Sequence, residues 1–229
     1  MLRLDEVELR LGSFRLAVDA GIAPGERVAV LGASGSGKST LLSLLAGFHM
    51  PDRGRILWEG SDISALPPSK RPMSILFQDG NLFPHLTLAQ NVGLALRTDL
   101  RLSAAERNRV RETLDRVGLG GMDERKPAAL SGGQQSRAAL ARLLLQDRPV
   151  ALLDEPFSAL DPALRTEMMR LLGELWRERH MTFVMATHDL RDAERLCDRV
   201  WLLEEGSVAL DRSVTGLRDD APAPLRDWL

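Results

Sequence analysis

One octapeptide constrains this chain of 229 residues more than any other stretch: GASGSGKS, Gly32 to Ser39. It matches the pattern G-x-x-x-x-G-K-[ST] in full. The chemistry of phosphate binding demands these residue types. Glycines let backbone N–H groups converge on phosphate oxygens, and a helix that follows adds its positive N-terminal end. Lys38 is placed to reach the β- and γ-phosphates, and Ser39 offers a hydroxyl to Mg²⁺. The cradle takes in Gly32, Ser34, Gly35, Ser36, Gly37, Lys38, Ser39 and Thr40. Such a loop works between a strand and a helix, and both are legible. The apolar run Arg27-Val28-Ala29-Val30-Leu31 precedes it, and the helical composition of STLLSLLAGF follows, with Gly47 as its C-cap. These residues predict a nucleoside triphosphate site on an α/β fold.

Further residues supply what such a loop needs next. Val150-Ala151-Leu152-Leu153-Asp154-Glu155 reads as a buried strand that delivers Asp154 to the sheet edge, where it holds Mg²⁺ directly or through water. Glu155 comes one residue later, placed to act on an attacking water as base or orienter. Gln78 ends the strand candidate MSILFQ, a position suited to Mg²⁺ and that water, or simply to the start of a surface loop. His188 follows the strand TFVMA in the loop THD, either as a γ-phosphate sensor or as the neighbour of a helix cap. His49, His85 and His180 have no such placement.

Strand candidates Met73 to Phe77, Val150 to Leu153 and Thr182 to Ala186 alternate with helical stretches, which favours a mostly parallel sheet covered on both faces. Two hairpins add an antiparallel β portion, RILWEGSDI around Glu59-Gly60 and VWLLEEGSVAL around Glu205-Gly206. Residues 79–130 hold no strong strand candidate, while Thr87 with Gln90 and Ser103 with Glu106 fit capping boxes that open helices. They are predicted to form a helical subdomain inserted into a single domain of residues 1–229. Asp161-Pro162 starts another helix, with aspartate as N-cap and proline in the first turn. Its apolar positions Leu164, Met168, Leu171, Leu172 and Leu175 keep to one core-facing stripe. The end, DDAPAPLRDWL, reads as a loosely held tail.

Composition narrows the function classes. A formal net charge of −2 carries no polyanion-binding signature, so no nucleic-acid partner is expected. A single cysteine, Cys197, makes a disulfide framework within the chain impossible and fits a reducing compartment. No segment approaches the run of about 20 apolar residues that spans a bilayer. MLRLDEVELRLG lacks the apolar region of a signal peptide. The protein is expected in the cytoplasm unless a partner holds it at a membrane.

A second glycine-rich helix start, LSGGQ at Leu130 to Gln134, leads straight into QSRAALARLLLQ. Ser131 is an N-cap residue type, and the glycines expose backbone N–H groups, so this is another anion seat. It has no lysine, no magnesium hydroxyl and no carboxylate pair nearby, and cannot run chemistry alone.

GASGSGKST, LFQ, LSGGQ, ALLDEP, SALD and THD, in that order, resemble the nucleotide-binding subunits of ATP-binding cassette (ABC) transporters over nearly the whole chain. The resemblance implies a P-loop NTPase fold and a head-to-tail dimer with two ATPs at its interface. In that arrangement Lys38 and the backbone of Gly35 to Thr40 hold phosphates, and Ser39, Gln78 and Asp154 attend Mg²⁺. Glu155 polarises the attacking water and His188 contacts the γ-phosphate. Ser131 and Gly133, with Gln134 in the same motif, reach the ATP of the second copy, and Asp161 links the two sites. Two positions depart from the family pattern. Its adenine-stacking aromatic is replaced around Leu9 and Leu11, the nearest aromatic being Phe14, and RQR after the signature is replaced by Gln135-Ser136-Arg137.

LFQDGNLFPHLTLAQNV further resembles importers, which implies integral membrane permease subunits docking near Phe83, Pro84 and His85. It also implies an indirect partner, a periplasmic solute-binding protein, and a peripheral location on the cytoplasmic face of the bacterial inner membrane. LAGF, PPSKRPMSILFQ and DEPFSALDPALR are similar to the ATPases of bacterial thiamine importers. Importers of another solute (ferric iron, polyamine, sulfate) and a soluble non-transport ABC ATPase are the alternatives.

Overall fold

Alternating burial builds the first part of the sheet, and one extra residue corrects its phase. In β1 (Leu2–Leu11) the inward residues are Leu2 and Leu4, then Val7 and Leu9, a switch from even to odd positions. A one-residue slip would turn the second pair to solvent. A bulge between Leu4 and Val7, with Glu6 at φ 47°, absorbs the change in register against both β2 (Phe14–Ile22) and β4 (Arg53–Trp58). Gly54 passes so close to the bulge that a Cβ there would overlap the Asp5 and Glu6 backbone.

The computed structural model describes residues 1–78, 81–158, 160–215 and 217. It divides into two compact units. The first takes in Met1–Ile75, Pro149–Glu155 and the described chain from Trp176 onward. Its remaining strands are β3 (Arg27–Leu31), β5 (Ser61–Asp62), β6 (Met73–Leu76), β7 (Val150–Asp154), β8 (Thr182–Ala186), β9 (Arg199–Glu204) and β10 (Ser207–Ser213). The sheet order is β5-β4-β1-β2-β10-β9-β3-β8-β7-β6. β9, β3, β8 and β7 are neighbours in parallel, whereas β5, β4, β1 and β2 pair antiparallel. The α/β architecture with an antiparallel portion is therefore the one anticipated from the sequence. Both anticipated hairpin turns are present, with Glu59 and Glu205 at φ 50° and 45°, and Gly60 and Gly206 at 81° and 77°.

Helix α1 (Lys38–Ala46) packs against β7 and β8 and ends at Gly47 in the left-handed conformation. The carbonyls at its end are collected by Arg71, a fully buried residue within PPSKRPMSILFQ to which the sequence alone assigns no role. Its guanidinium donates to Leu44 O and Leu45 O, both at 2.7 Å, to Ser64 O at 2.7 Å and to Leu66 O at 3.0 Å. Burial pulls its pKa below the usual arginine value, and the Asp62 charge opposes that shift. The rigid fork of five N–H donors suits this job, as a lysine would not.

The second unit comprises Leu76–Arg148 and Pro156–Leu175. It is wider than the stretch 79–130 expected from sequence, because α4 (Gly132–Leu145) and most of α5 (Pro162–Arg179) belong to it. Its other helices are α2 (Leu88–Gly93) and α3 (Ala104–Arg116). Both expected capping boxes are formed: Thr87 with Gln90 opens α2, and Ser103 with Glu106 opens α3. Asp161 caps α5 as expected, its carboxylate accepting from Ala163 N and Leu164 N, each at 3.0 Å. Met168, Leu171, Leu172 and Leu175 are buried and Leu164 half-buried. The predicted tail DDAPAPLRDWL lies outside the described residues. No helix among them is long and apolar enough to cross a membrane.

Arg71→Met should lower unfolding free energy by about 2–4 kcal/mol, since two buried and two part-buried carbonyls lose a charged donor. Arg71→Lys should recover less than half of that loss. Urea unfolding of the two variants beside wild type checks both expectations.

Candidate functional site

Three neighbouring parallel strands of the first unit end on one side of the sheet, and each delivers chemistry there. β3 runs into the P-loop, β7 finishes at Asp154, and β8 leads through Thr187 to His188. Open α/β sheets bind ligands in the crevice beyond such strand ends. A cleft of about 770 Å³ opens beside the loop, lined by Gly32 to Ser36 and by β9 and the turn after it.

The loop takes its shape from positions only glycine fits. Gly35 and Gly37 have φ of 81° and 105°, and a Cβ on Gly32 would meet Ser36 Oγ and the Leu203 carbonyl. The ring of Phe14, the aromatic nearest Leu9 and Leu11 in sequence, packs against Gly37. Ser36 N donates back to Ala33 O at 3.1 Å, closing a turn. Helix α1 then starts without any side-chain cap, although α2, α3 and α4 each carry a capping box. The first N–H groups of a helix have no intrahelical partner, so an uncapped start is a seat for an anion.

Lys38 Nζ donates to the loop's own carbonyls, Gly32 O at 2.7 Å and Ala33 O at 3.1 Å. Burial lowers the pKa of its ammonium, and the charges of Glu155 and Asp154 counter that shift. Asp154 is buried, which raises its carboxyl pKa; a hydrogen bond from Ser39 and the Lys38 charge act in the opposite direction. Its Oδ1 makes no hydrogen bond. A buried carboxylate oxygen without a partner, with a hydroxyl beside it, fits Mg²⁺. That ion takes one or two carboxylates, keeps waters and completes its shell with substrate phosphates. Among the described residues no cluster of three or more His, Cys, Asp or Glu side chains forms a metal cage, and Mg²⁺ bound with a nucleotide needs none.

Glu155 turns the chain sharply after β7. Its φ is 49°, a left-handed conformation that costs a non-glycine residue on the order of 1 kcal/mol and clusters at functional sites. Its N–H donates to Ala186 O at 3.0 Å, and its Oε2 lies 2.7 Å from His188 Nδ1. Glu155 is largely shielded, whereas the His188 ring is 66% exposed and so open to a ligand. Thr187, passed over in the sequence, anchors this loop: it is buried, its N–H donates to Val30 O at 3.1 Å, and its hydroxyl accepts from Asp189 N at 3.1 Å.

The second unit holds the other candidates. Ser131 caps α4 through a capping box not anticipated from the sequence: its Oγ accepts from Gln134 N at 3.3 Å, and Gln134 Oε1 accepts from Ser131 N at 2.9 Å. Serine followed three residues later by glutamine was the available signal. Gly132 has open space where a Cβ would stand, whereas a Cβ on Gly133 would overlap Leu164 of α5. Gln135, at a position where the pattern departs from the family, donates to Pro127 O at 3.1 Å and Leu130 O at 3.3 Å and so ties down the approach to the signature. Gln78 is an exposed turn residue just after β6. Asn91, fully buried and missed in the sequence, pins the segment around Phe83. It accepts from Phe83 N at 2.7 Å and donates to Phe83 O, Leu86 O and Thr87 O. Asp79, Gly80 and Ala159 of the quoted motifs lie outside the described residues.

Residues 17–158 match the family described as ABC transporter. The chain is 58% identical over 229 residues to the thiamine import ATP-binding protein ThiQ of Jannaschia sp. (strain CCS1), with 100% of both chains covered. It is 48% identical over 223 residues to ThiQ of Yersinia pseudotuberculosis serotype I (strain IP32953), covering 97% of this chain and 94% of the relative. A dimeric post-hydrolysis state of an ATP-binding cassette bound to ADP and Pi is similar at TM-score 0.84 and 33% identity, over 94% of this chain and 100% of that one. CbiO1 from Clostridium perfringens, part of the ABC transporter complex cbiONQ, is similar at TM-score 0.83 and 30% identity, over 96% and 90%.

The raised Asp154 pKa has a signed consequence. A carboxyl that holds its proton more tightly when folded adds stability below its unfolded pKa, and that contribution is lost as pH rises through the folded value. Asp154→Asn, which cannot ionise, should therefore melt higher than wild type at pH 7, and the gain should shrink as pH falls towards 4. Thermal unfolding across that range, without nucleotide or divalent ions, checks the sign.

Proposed function

The chain belongs to the ABC transporter family, and from that premise we infer that it is the ATP-hydrolysing subunit of a bacterial thiamine importer. The observation that carries this reading is full-length likeness to thiamine import ATPases, joined to a P-loop, a buried carboxylate and a Glu–His pair at adjacent strand ends. ATP is the substrate, and the working unit is a dimer that acts on a membrane permease. We further propose a head-to-tail dimer, attached to the cytoplasmic face of the inner membrane by its permease and supplied by a periplasmic solute-binding protein.

Each residue then has a task. The triphosphate lies on the N–H groups of the loop from Gly32 to Thr40, and Lys38 exchanges its two loop carbonyls for phosphate oxygens. Asp154 and Ser39, with Gln78, would hold Mg²⁺, which neutralises charge on the β- and γ-phosphates when bound. Glu155 accepts a proton from the attacking water as the new O–P bond forms and the bond from the bridging oxygen to the γ-phosphorus breaks. The His188 N–H holds that carboxylate in place, and its exposed ring faces the γ-phosphate. Most of the rate comes from position and charge, since phosphoryl transfer asks little covalent chemistry of a protein.

The signature completes the second copy's site. Ser131 accepts from Gln134 N through an oxygen lone pair and keeps its O–H proton to donate. It is thus able to cap its own helix and bind a γ-phosphate of the partner copy at once, beside the Gly133 N–H. Asp161 already caps α5, which fixes the segment proposed to link the two sites.

Cells lacking this protein should take up labelled thiamine again when given wild type, but not Glu155→Gln. Hydrolysis by Glu155→Gln should fall by about 10²- to 10⁴-fold, as expected for a lost general base, while ATP binding persists and an ATP-bound dimer accumulates. Wild-type turnover in this variant would remove Glu155 from its role, and normal uptake without the protein, with no redundant carrier present, would remove thiamine. Ser131→Arg should leave ATP binding to the monomer intact and abolish the dimer in light scattering.

A further inference from the structure

The structure assigns a positioning role to Gly206, in the turn between β9 and β10: its N–H fixes the Ser36–Gly37 peptide of the P-loop so that the Gly37 N–H faces the phosphate. The role rests on the proposed triphosphate site and adds to it a residue far away in sequence.

Gly206 N donates to Ser36 O at 3.1 Å, and Gly206 O accepts from Ala17 N at 2.7 Å. One residue, through the peptide groups on either side of its Cα, thus bridges strand β2 and the middle of the phosphate loop. In a trans peptide the C=O and the following N–H point in opposite directions. Drawing the Ser36 carbonyl towards the turn therefore aims the Gly37 N–H the other way, into the cradle. Were that peptide to flip, an oxygen would face the phosphates where a donor is needed. The loop on its own offers weak resistance to such a flip, since Gly35 and Gly37 flank Ser36 and glycine crosses between backbone regions readily.

The brace is itself held rigid. Gly206 has φ 77°, and a Cβ there would overlap the Arg15 carbonyl and crowd Leu16. Ser36 is buried, and Phe14 lies against Gly37 from another side. The molecule also contains a matched control. The turn between β4 and β5 has the same sequence and conformation, Glu59 at φ 50° and Gly60 at φ 81°, yet nothing lies within 4 Å of where a Gly60 Cβ would stand. Gly60→Ala therefore imposes the same backbone strain without touching the P-loop.

The experiment measures inorganic tripolyphosphate and ATP binding by calorimetry to wild type, Gly206→Ala and Gly60→Ala, well below each melting temperature. Gly206→Ala should bind both ligands about tenfold or more weakly, the worth of one N–H bond to a charged oxygen, while Gly60→Ala binds as wild type does. Equal affinity in all three proteins would overturn the brace and leave the triphosphate site standing. Failure of wild type to bind either ligand would overturn the site, and the brace with it. Should Gly206→Ala not fold, amide hydrogen exchange on wild type decides instead. Tripolyphosphate should slow exchange at Gly206 and leave Gly60 unchanged, and an unchanged Gly206 would sink the proposal.

Discussion

A triphosphate site made of backbone requires N–H groups that nothing else has satisfied, and such groups are costly to keep. Buried polar groups ordinarily find partners, and helix starts ordinarily find caps. This chain caps α2, α3 and α4 with side chains and leaves α1 uncapped at the point where Lys38 and Ser39 begin it. The surroundings prevent that start from collapsing onto a substitute. Phe14 closes one side of Gly37, the Leu203 carbonyl and Ser36 fill the space a side chain on Gly32 would need, and Arg71 takes up the carbonyls at the far end of the same helix. The reactive groups inherit their positions from this frame, because β7 and β8 pack beside α1 and end at Asp154 and next to His188.

The two carboxylates that follow β7 show how one strand end yields two different groups. Asp154 is still in the strand, buried and short of hydrogen bonds on one oxygen, so a cation relieves it. Glu155 has left the strand through a left-handed turn that carries its side chain to His188. A residue continuing in the strand would point its side chain to the opposite face of the sheet from Asp154. The left-handed turn is what lets consecutive residues serve one site.

Local chemistry made much of this legible in the sequence. The P-loop, the acid pair, both Glu-Gly turns and the capping boxes at Thr87 and Ser103 each follow from residues a few positions apart. What escaped depends on distant neighbours. Arg71 looks like any surface cation until the ends of α1 and the loop at Ser64 to Leu66 surround it. The bulge at Glu6 follows from a phase change that is visible only once both flanking strands are known. Gly133 reads as a flexible phosphate-binding glycine, yet α5 leaves no room for a side chain there. The wider second unit was hidden for the same reason, since α4 follows Leu130 in sequence but packs with α2 and α3 in space, and Leu164 of α5 lies against Gly133 of α4.

The capping box at Ser131 separates what folding asks of a residue from what a second copy asks. To hold the start of α4, the chain needs an oxygen that accepts from Gln134 N, and asparagine or aspartate would serve as well as serine. To donate towards a neighbour's phosphate, it needs a proton on that same oxygen, which an aspartate lacks at neutral pH. A collection of variants selected for thermal endurance alone would drift freely among those residues at this position. Growth that depends on transport would draw the same collection back to a hydroxyl, so the two selections would leave different records at one site.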